Sequence, residues 1–111
     1  MRYFSIDDLR EEDIRRVRER LNEMELQSDI DGLYWLPAPA ALLSPVQQEH
    51  AQSCGPHVMA LEVQEHALQL ELLVRARGKM RCECVHYAAP ALQQHMTGWL
   101  DELLRDLDIS C

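Results

Sequence analysis

A chain of 111 residues, 47% hydrophobic and 27% charged, is a single domain (1–111) with enough apolar material to build a core without disulfides. Nineteen acidic residues against eleven basic give a formal net charge of −8, which argues against DNA or RNA as the main partner, because phosphate binding is dominated by neutralisation with Lys and Arg. No apolar run approaches the ~20 residues of a membrane span, and the opening MRYFSIDDLREED turns acidic too early for a secretory signal. No membrane partner is therefore expected. The expected location is cytoplasmic, with Cys54, Cys82, Cys84 and Cys111 as reduced thiols.

Ser5 reads as the cap of a first helix, with Asp8 reaching back and Phe4 and Leu9 placed as a hydrophobic staple. Ile14, Val17, Leu21 and Met24 recur at spacings of three and four, so the helix is expected to run to about Ser28 with one apolar stripe. Arg15, Arg16, Arg18 and Arg20 alternate with acids and read as a solvated face. After Asp31-Gly32, Leu33–Leu36 reads as a short edge strand stopped by Pro37 and Pro39. The irregular stretch 37–56 holds four of the chain's five prolines, and Ser44-Pro45 can cap one or two turns of helix within it.

Residues 57–88 carry the strongest signal, three strands with alternating apolar residues. A turn at Glu65-His66 pairs Val63 with Leu68, Leu61 with Leu70 and Met59 with Leu72. A tight loop at Arg77-Gly78-Lys79 pairs Ala76 with Met80, Val74 with Cys82 and Leu72 with Cys84, with Gly78 supplying the permissive backbone. Ala89-Pro90 opens a final helix with the stripe Leu92, Met96, Trp99, Leu100, Leu103 and Leu107. The predicted fold is α+β: a two-layer sandwich in the order α-β-β-β-β-α, with an antiparallel sheet of three to four strands and both terminal helices on one face.

Two sets of residues bear on function. Cys54, His57, Cys82, Cys84 and His86, with His50 as an additional donor, are thiols and imidazoles of the kind that hold zinc or run thiol redox chemistry. Two facts oppose a shared site. On the predicted sheet His57 and Cys82 lie two strand spacings of ~4.8 Å apart unless loops supply the ligands. Free cysteine also packs readily as a small core hydrophobe. The second set is Tyr34, Trp35, Leu73, Val85 and Tyr87, aromatic and apolar residues at the edge strand and on the outer sheet face, suited to a protein partner or a homodimer. Arg75, Arg77, Lys79 and Arg81 form a basic hairpin tip, read as a charged turn that discourages edge association.

No phosphate loop, GxSxG or HExxH motif occurs. The expected function is that of a small non-catalytic interaction domain, adaptor-like or chaperone-like, with no cofactor. A zinc-binding or thiol-redox protein is the alternative. Small acidic secretion chaperones share the size, charge and broad architecture, an analogy of fold with no motif behind it.

Overall fold

The computed structural model describes residues 2–79 and 81–110. Along them run β1 (Tyr3–Ile6), α1 (Glu11–Glu23), β2 (Leu33–Pro37), α2 (Pro45–Glu49), α3 (Ala51–Cys54), β3 (His57–Val63), β4 (Leu68–Glu71), β5 (Leu73–Ala76), β6 (His86–Tyr87) and α4 (Pro90–Asp106). All strand pairs are antiparallel, in the order β1-β4-β3-β5-β6, with β2 on the other edge of β3.

Alternation decides which side chains go inward. The pairings Ile6↔Leu68, Phe4↔Leu70, Leu61↔Leu70, Tyr34↔Leu61 and Leu36↔Met59 place one apolar set on one sheet face. Both long helices deliver their stripes to the same core, Ile14, Val17 and Leu21 from α1 and Leu92, Met96, Leu100, Leu103 and Leu104 from α4. The Arg16 guanidinium donates to the Leu107 carbonyl and ties α1 to the end of α4. The α+β class and the antiparallel sheet thus stand. A separate small cluster gathers Cys54, Ala76 and Cys84, flanked by Val46, Cys82 and Val85.

Four expectations are corrected. The chain opens with a strand, not a helix. Phe4 and Ile6 face Leu70 and Leu68 across the β1–β4 ladder, and Ser5 lies opposite Gln69 instead of capping. A Ser-x-x-Asp box is a weak signal, and burial of two apolar residues on a ready strand overrides it. Helix α1 starts later, where the carboxylate of Asp13 accepts from Arg10 and Arg16. It also stops early, at Glu23. Glu25 takes a left-handed conformation (φ 60°), and the amides of Glu25 and Leu26 bond back to the carbonyls of Asn22 and Leu21. This is a Schellman closure, and α4 ends the same way, with Asp108 (φ 59°) in the left-handed position and Ile109 bonded to Leu104.

The predicted strand 67–76 is split. Val63↔Leu68 and Leu61↔Leu70 pair as expected, but His57↔Ala76 and Val58↔Arg75 follow a shifted register, so the Met59–Leu72 pair is not formed. Leu72 sits in the break, where its amide bonds to Arg2 and its carbonyl receives Ala88. A bulge of this kind bends the strand and re-aims its end. The last correction concerns 79–88. Among its described residues only His86–Tyr87 is strand, and it pairs Leu73↔Tyr87 and Val74↔His86. Cys82 and Cys84 therefore leave the sheet for a turn closed by the Val85 amide on the Cys82 carbonyl at 3.0 Å. The expected Ala76–Met80 pair lies outside the described residues.

Leu70 is fully buried between the strands and both helices, so Leu70→Ala is expected to cost about 3 kcal/mol in a urea titration. Ile30 is 63% exposed, and Ile30→Ser should stay within about 0.5 kcal/mol of the parent in the same measurement.

Candidate metal centre

The site is built from one helical turn and one loop turn. Ser44 caps α2 through a complete capping box with Gln47, and Pro45 occupies the first turn, where its missing amide costs nothing. The helical path continues through His50, whose carbonyl receives the Cys54 amide at 2.8 Å. His50 and Cys54 are thus i and i+4 on one helical face, with side chains one above the other. Opposite them, the turn at Cys82-Glu83-Cys84-Val85 presents two thiols toward the helix.

Two glycines permit the approach. A side chain at Gly78 would bring its Cβ within 2.7 Å of the Gly55 carbonyl oxygen and 2.8 Å of that of Cys54, so only glycine fits where the loop crosses the helix end. A Cβ at Gly55 would meet the Ala51 carbonyl oxygen at 2.3 Å. The Gly78 amide donates to the Cys54 carbonyl at 2.7 Å. From the other side the buried Gln47 amide donates to the Cys84 carbonyl at 3.0 Å while its oxygen accepts from Ser44. One buried glutamine therefore closes the helix cap and fastens the loop.

Four donor atoms converge: one imidazole nitrogen of His50 and the Sγ atoms of Cys54, Cys82 and Cys84 all lie within 4.8 Å of one another. His50 Nδ1 is 3.0 Å from Cys82 Sγ and 3.7 Å from Cys54 Sγ, and those two sulfurs are 3.5 Å apart. A zinc–sulfur bond of ~2.3 Å requires tetrahedral sulfur–sulfur edges of about 3.8 Å, so small movements would accommodate an ion. The other nitrogen of His50 faces Glu83 Oε1 at 3.8 Å, beyond hydrogen-bond distance.

The thiols are electrically unequal. The Cys84 backbone amide, then the Cys84 and Cys54 thiols and His50, stabilise the Cys82 thiolate and bring its pKa down to about 6. Burial, with the neighbouring sulfurs adding to it, pushes Cys84 up to about 12. A cation at the centre would reverse the second effect, because a coordinating thiol is held deprotonated.

Of the donors expected from sequence, Cys54, Cys82 and Cys84 come together, and His50 completes the set. His57 and His86 stand outside it. His86 shares a 3.0 Å hydrogen bond between its Nε2 and Ser44 Oγ. His57 is buried in the sheet, and its Nε2 has no hydrogen-bond partner among the described residues. The objection that strands would hold the ligands apart fails because the loop supplies two of them. The signal that marks His50 is its i,i+4 spacing to Cys54 just beyond the Ser44-Pro45 cap.

The expected binding residues separate. Tyr34 is buried and donates its hydroxyl to Asn22. Leu73 and Tyr87 face each other across β5–β6, with the Arg2 guanidinium 4.6 Å from the centre of the Tyr87 ring. Trp35 and Val85 line a groove on the outer sheet face. Among the described residues no helix is long and apolar enough to cross a membrane. Compared with known proteins, the chain matches no family, no curated protein and no solved structure.

In the metal-free chain, Cys82 alkylation by iodoacetamide is expected to rise with pH around a midpoint near 6, with Cys84 unreactive, as read by mass spectrometry of the modified peptide. His57 carries a second pH signature. Burial, with His50 and His86 adding to it, lowers its pKa from the ordinary 6.5. The unfolded chain then takes the proton first, so the His57 contribution to stability is complete above pH 6.5 and is lost as the pH falls below it. Urea midpoints of the metal-free chain should show this decline, and His57→Gln should flatten it.

Proposed function

We propose that this chain is a non-catalytic, zinc-binding domain in which a Cys3His centre made of His50, Cys54, Cys82 and Cys84 staples the β5–β6 loop to the α2–α3 segment. The observation that carries this reading is the convergence of the four donor atoms within 4.8 Å. Three thiolates and one imidazole suit zinc above harder cations.

Four protein ligands close the coordination sphere and leave no position for water or substrate, which favours a structural role over a catalytic one. Cys54 and Cys84 are 2% and 0% exposed, so the centre sits behind the loop rather than in an open cleft. The role left for the domain is to present a surface to a protein partner. Reduced thiolates of this kind fit a cytoplasmic setting.

The chain purified without chelator should contain one equivalent of zinc by elemental analysis. Cobalt in its place should give the intense visible bands of a tetrahedral thiolate site. Free zinc at 100 times its dissociation constant adds about 2.7 kcal/mol to the folded state, so removal by chelator should lower the melting temperature measurably. Cys82→Ser and Cys54→Ser should lose the metal, and His86→Gln should keep it. A chain that is metal-free as purified, and whose melting temperature zinc leaves unchanged, would refute the proposal.

A further inference from the structure

The face of the sheet turned away from both helices carries a groove of about 300 Å³. Its floor is the half-buried Trp35 ring, which strand alternation turns outward while Tyr34 and Leu36 turn into the core. Ile30 and Val85 form apolar walls, and Ile30 is 63% exposed. Asp29, Arg75 and Arg77 also line it.

The charge around this groove opposes that of the rest of the molecule. Arg75, Arg77, Lys79 and Arg81 supply four of the eleven basic residues in a chain of net charge −8. Arg75 is engaged by Glu71 through two contacts of 2.7 and 3.1 Å. The Arg77 guanidinium lies 5.7 Å from the centre of the Trp35 ring. Among the described residues, no carboxylate forms an ion pair with Arg77, Lys79 or Arg81. Arg77, a cation with no ion pair among the described residues, thus stands over an apolar floor on an acidic protein.

We propose that this groove docks an acidic segment of a partner protein, with one apolar side chain of the segment on Trp35 between Ile30 and Val85 and a carboxylate on Arg77, the basic residues Lys79 and Arg81 following in the chain. Complementary charge supplies steering and register, and the buried aromatic contact supplies the affinity. The segment binds through side chains rather than by adding a strand. The free edge of β2 is already taken, since the Trp35 amide bonds to the Leu26 carbonyl and the Ser28 amide to that of Leu33. A nucleic acid fits less well. Asp29 lines the wall, Glu71 already neutralises Arg75, and a polyanion extending past the rim meets an acidic surface. The proposal goes beyond the metal reading and does not depend on it.

The test uses the full chain as purified and fluorescein-labelled synthetic peptides with Asp and Glu flanking a central Leu, Phe or Tyr, read by fluorescence anisotropy. Saturable binding is expected, weakening with added salt. Amide analogues of the acids, or Ser at the centre, should each weaken it about tenfold or more. Arg77→Glu and Ile30→Glu should do the same. Both positions are exposed, so their folding is checked by circular dichroism, and either variant suffices. Four results would overturn the proposal: no saturable binding by any of the peptides; equal binding by the folded variants; displacement of the peptide by a short single-stranded oligonucleotide at lower concentration; or dimerisation of the parent chain that Ile30→Glu abolishes, which would make a second copy the occupant. Loss of zinc without loss of peptide binding leaves this proposal intact, so the two readings fail separately.

Discussion

Strand β3 is buried along nearly its whole length and hydrogen-bonded on both edges, and the placement of the other elements follows from it. Its inward residues Met59, Leu61 and Val63 meet both long helices, while Val58 and Ala60 stay covered on the opposite side. A strand in that position has no solvent to satisfy its backbone, so each amide and carbonyl must find a neighbour. Strand β2 takes one edge from end to end. The other edge is shared by β4 and β5, and the break at Leu72 is what allows one stretch of chain to serve it in two registers. The bend also decides where β5 points, and hence where the loop carrying Cys82 and Cys84 begins.

Much of this was legible in the residues. Alternation in 57–76 identified the inward set, and the spacing of Leu92, Met96 and Leu100 identified the face of α4, because in both cases a long apolar pattern admits one solution. Short segments were not legible. Tyr3–Ile6 is too brief for periodicity to separate helix from strand, and its state is decided by a partner more than sixty residues away, Leu68–Glu71. The run from Met80 to Ala88 alternates as cleanly as a strand, yet Cys82 and Cys84 are drawn out of the sheet by the small sulfur-rich cluster with Cys54 and by the Gln47 tether. Polarity cannot report on a loop that folds back onto a helix. Of the candidate donors, the three cysteines come together as a group while His57 and His86 do not, since the choice among His50, His57 and His86 depends on which helical turn the loop meets.

The thiol–imidazole cluster and the groove draw on one loop. The segment from Arg77 to Val85 gives its thiols to the first and its arginine and valine to the second. The sheet holds only the two ends of that segment, through Ala76 and His86. Among the segment's described residues, the backbone bonds run from the Arg77 amide to Pro56, from the Gly78 amide to Cys54, from the Val85 amide to Cys82, and from the Gln47 side chain to the Cys84 carbonyl. Among the same residues, Cys84 is buried with Cys54 and Ala76, and Cys82 and Val85 pack against that small cluster.

Anchoring through a loop rather than a ladder has a kinetic consequence. A segment held by helices and ladders opens at a rate set by the cooperative melting of its neighbours. Here the tightest restraint would be four bonds to one ion, and thiolate ligands are released singly, by proton or by competing thiol. The residence time of this stretch of backbone would then follow ligand exchange in the surrounding medium, while the sheet beneath it kept its own, slower clock.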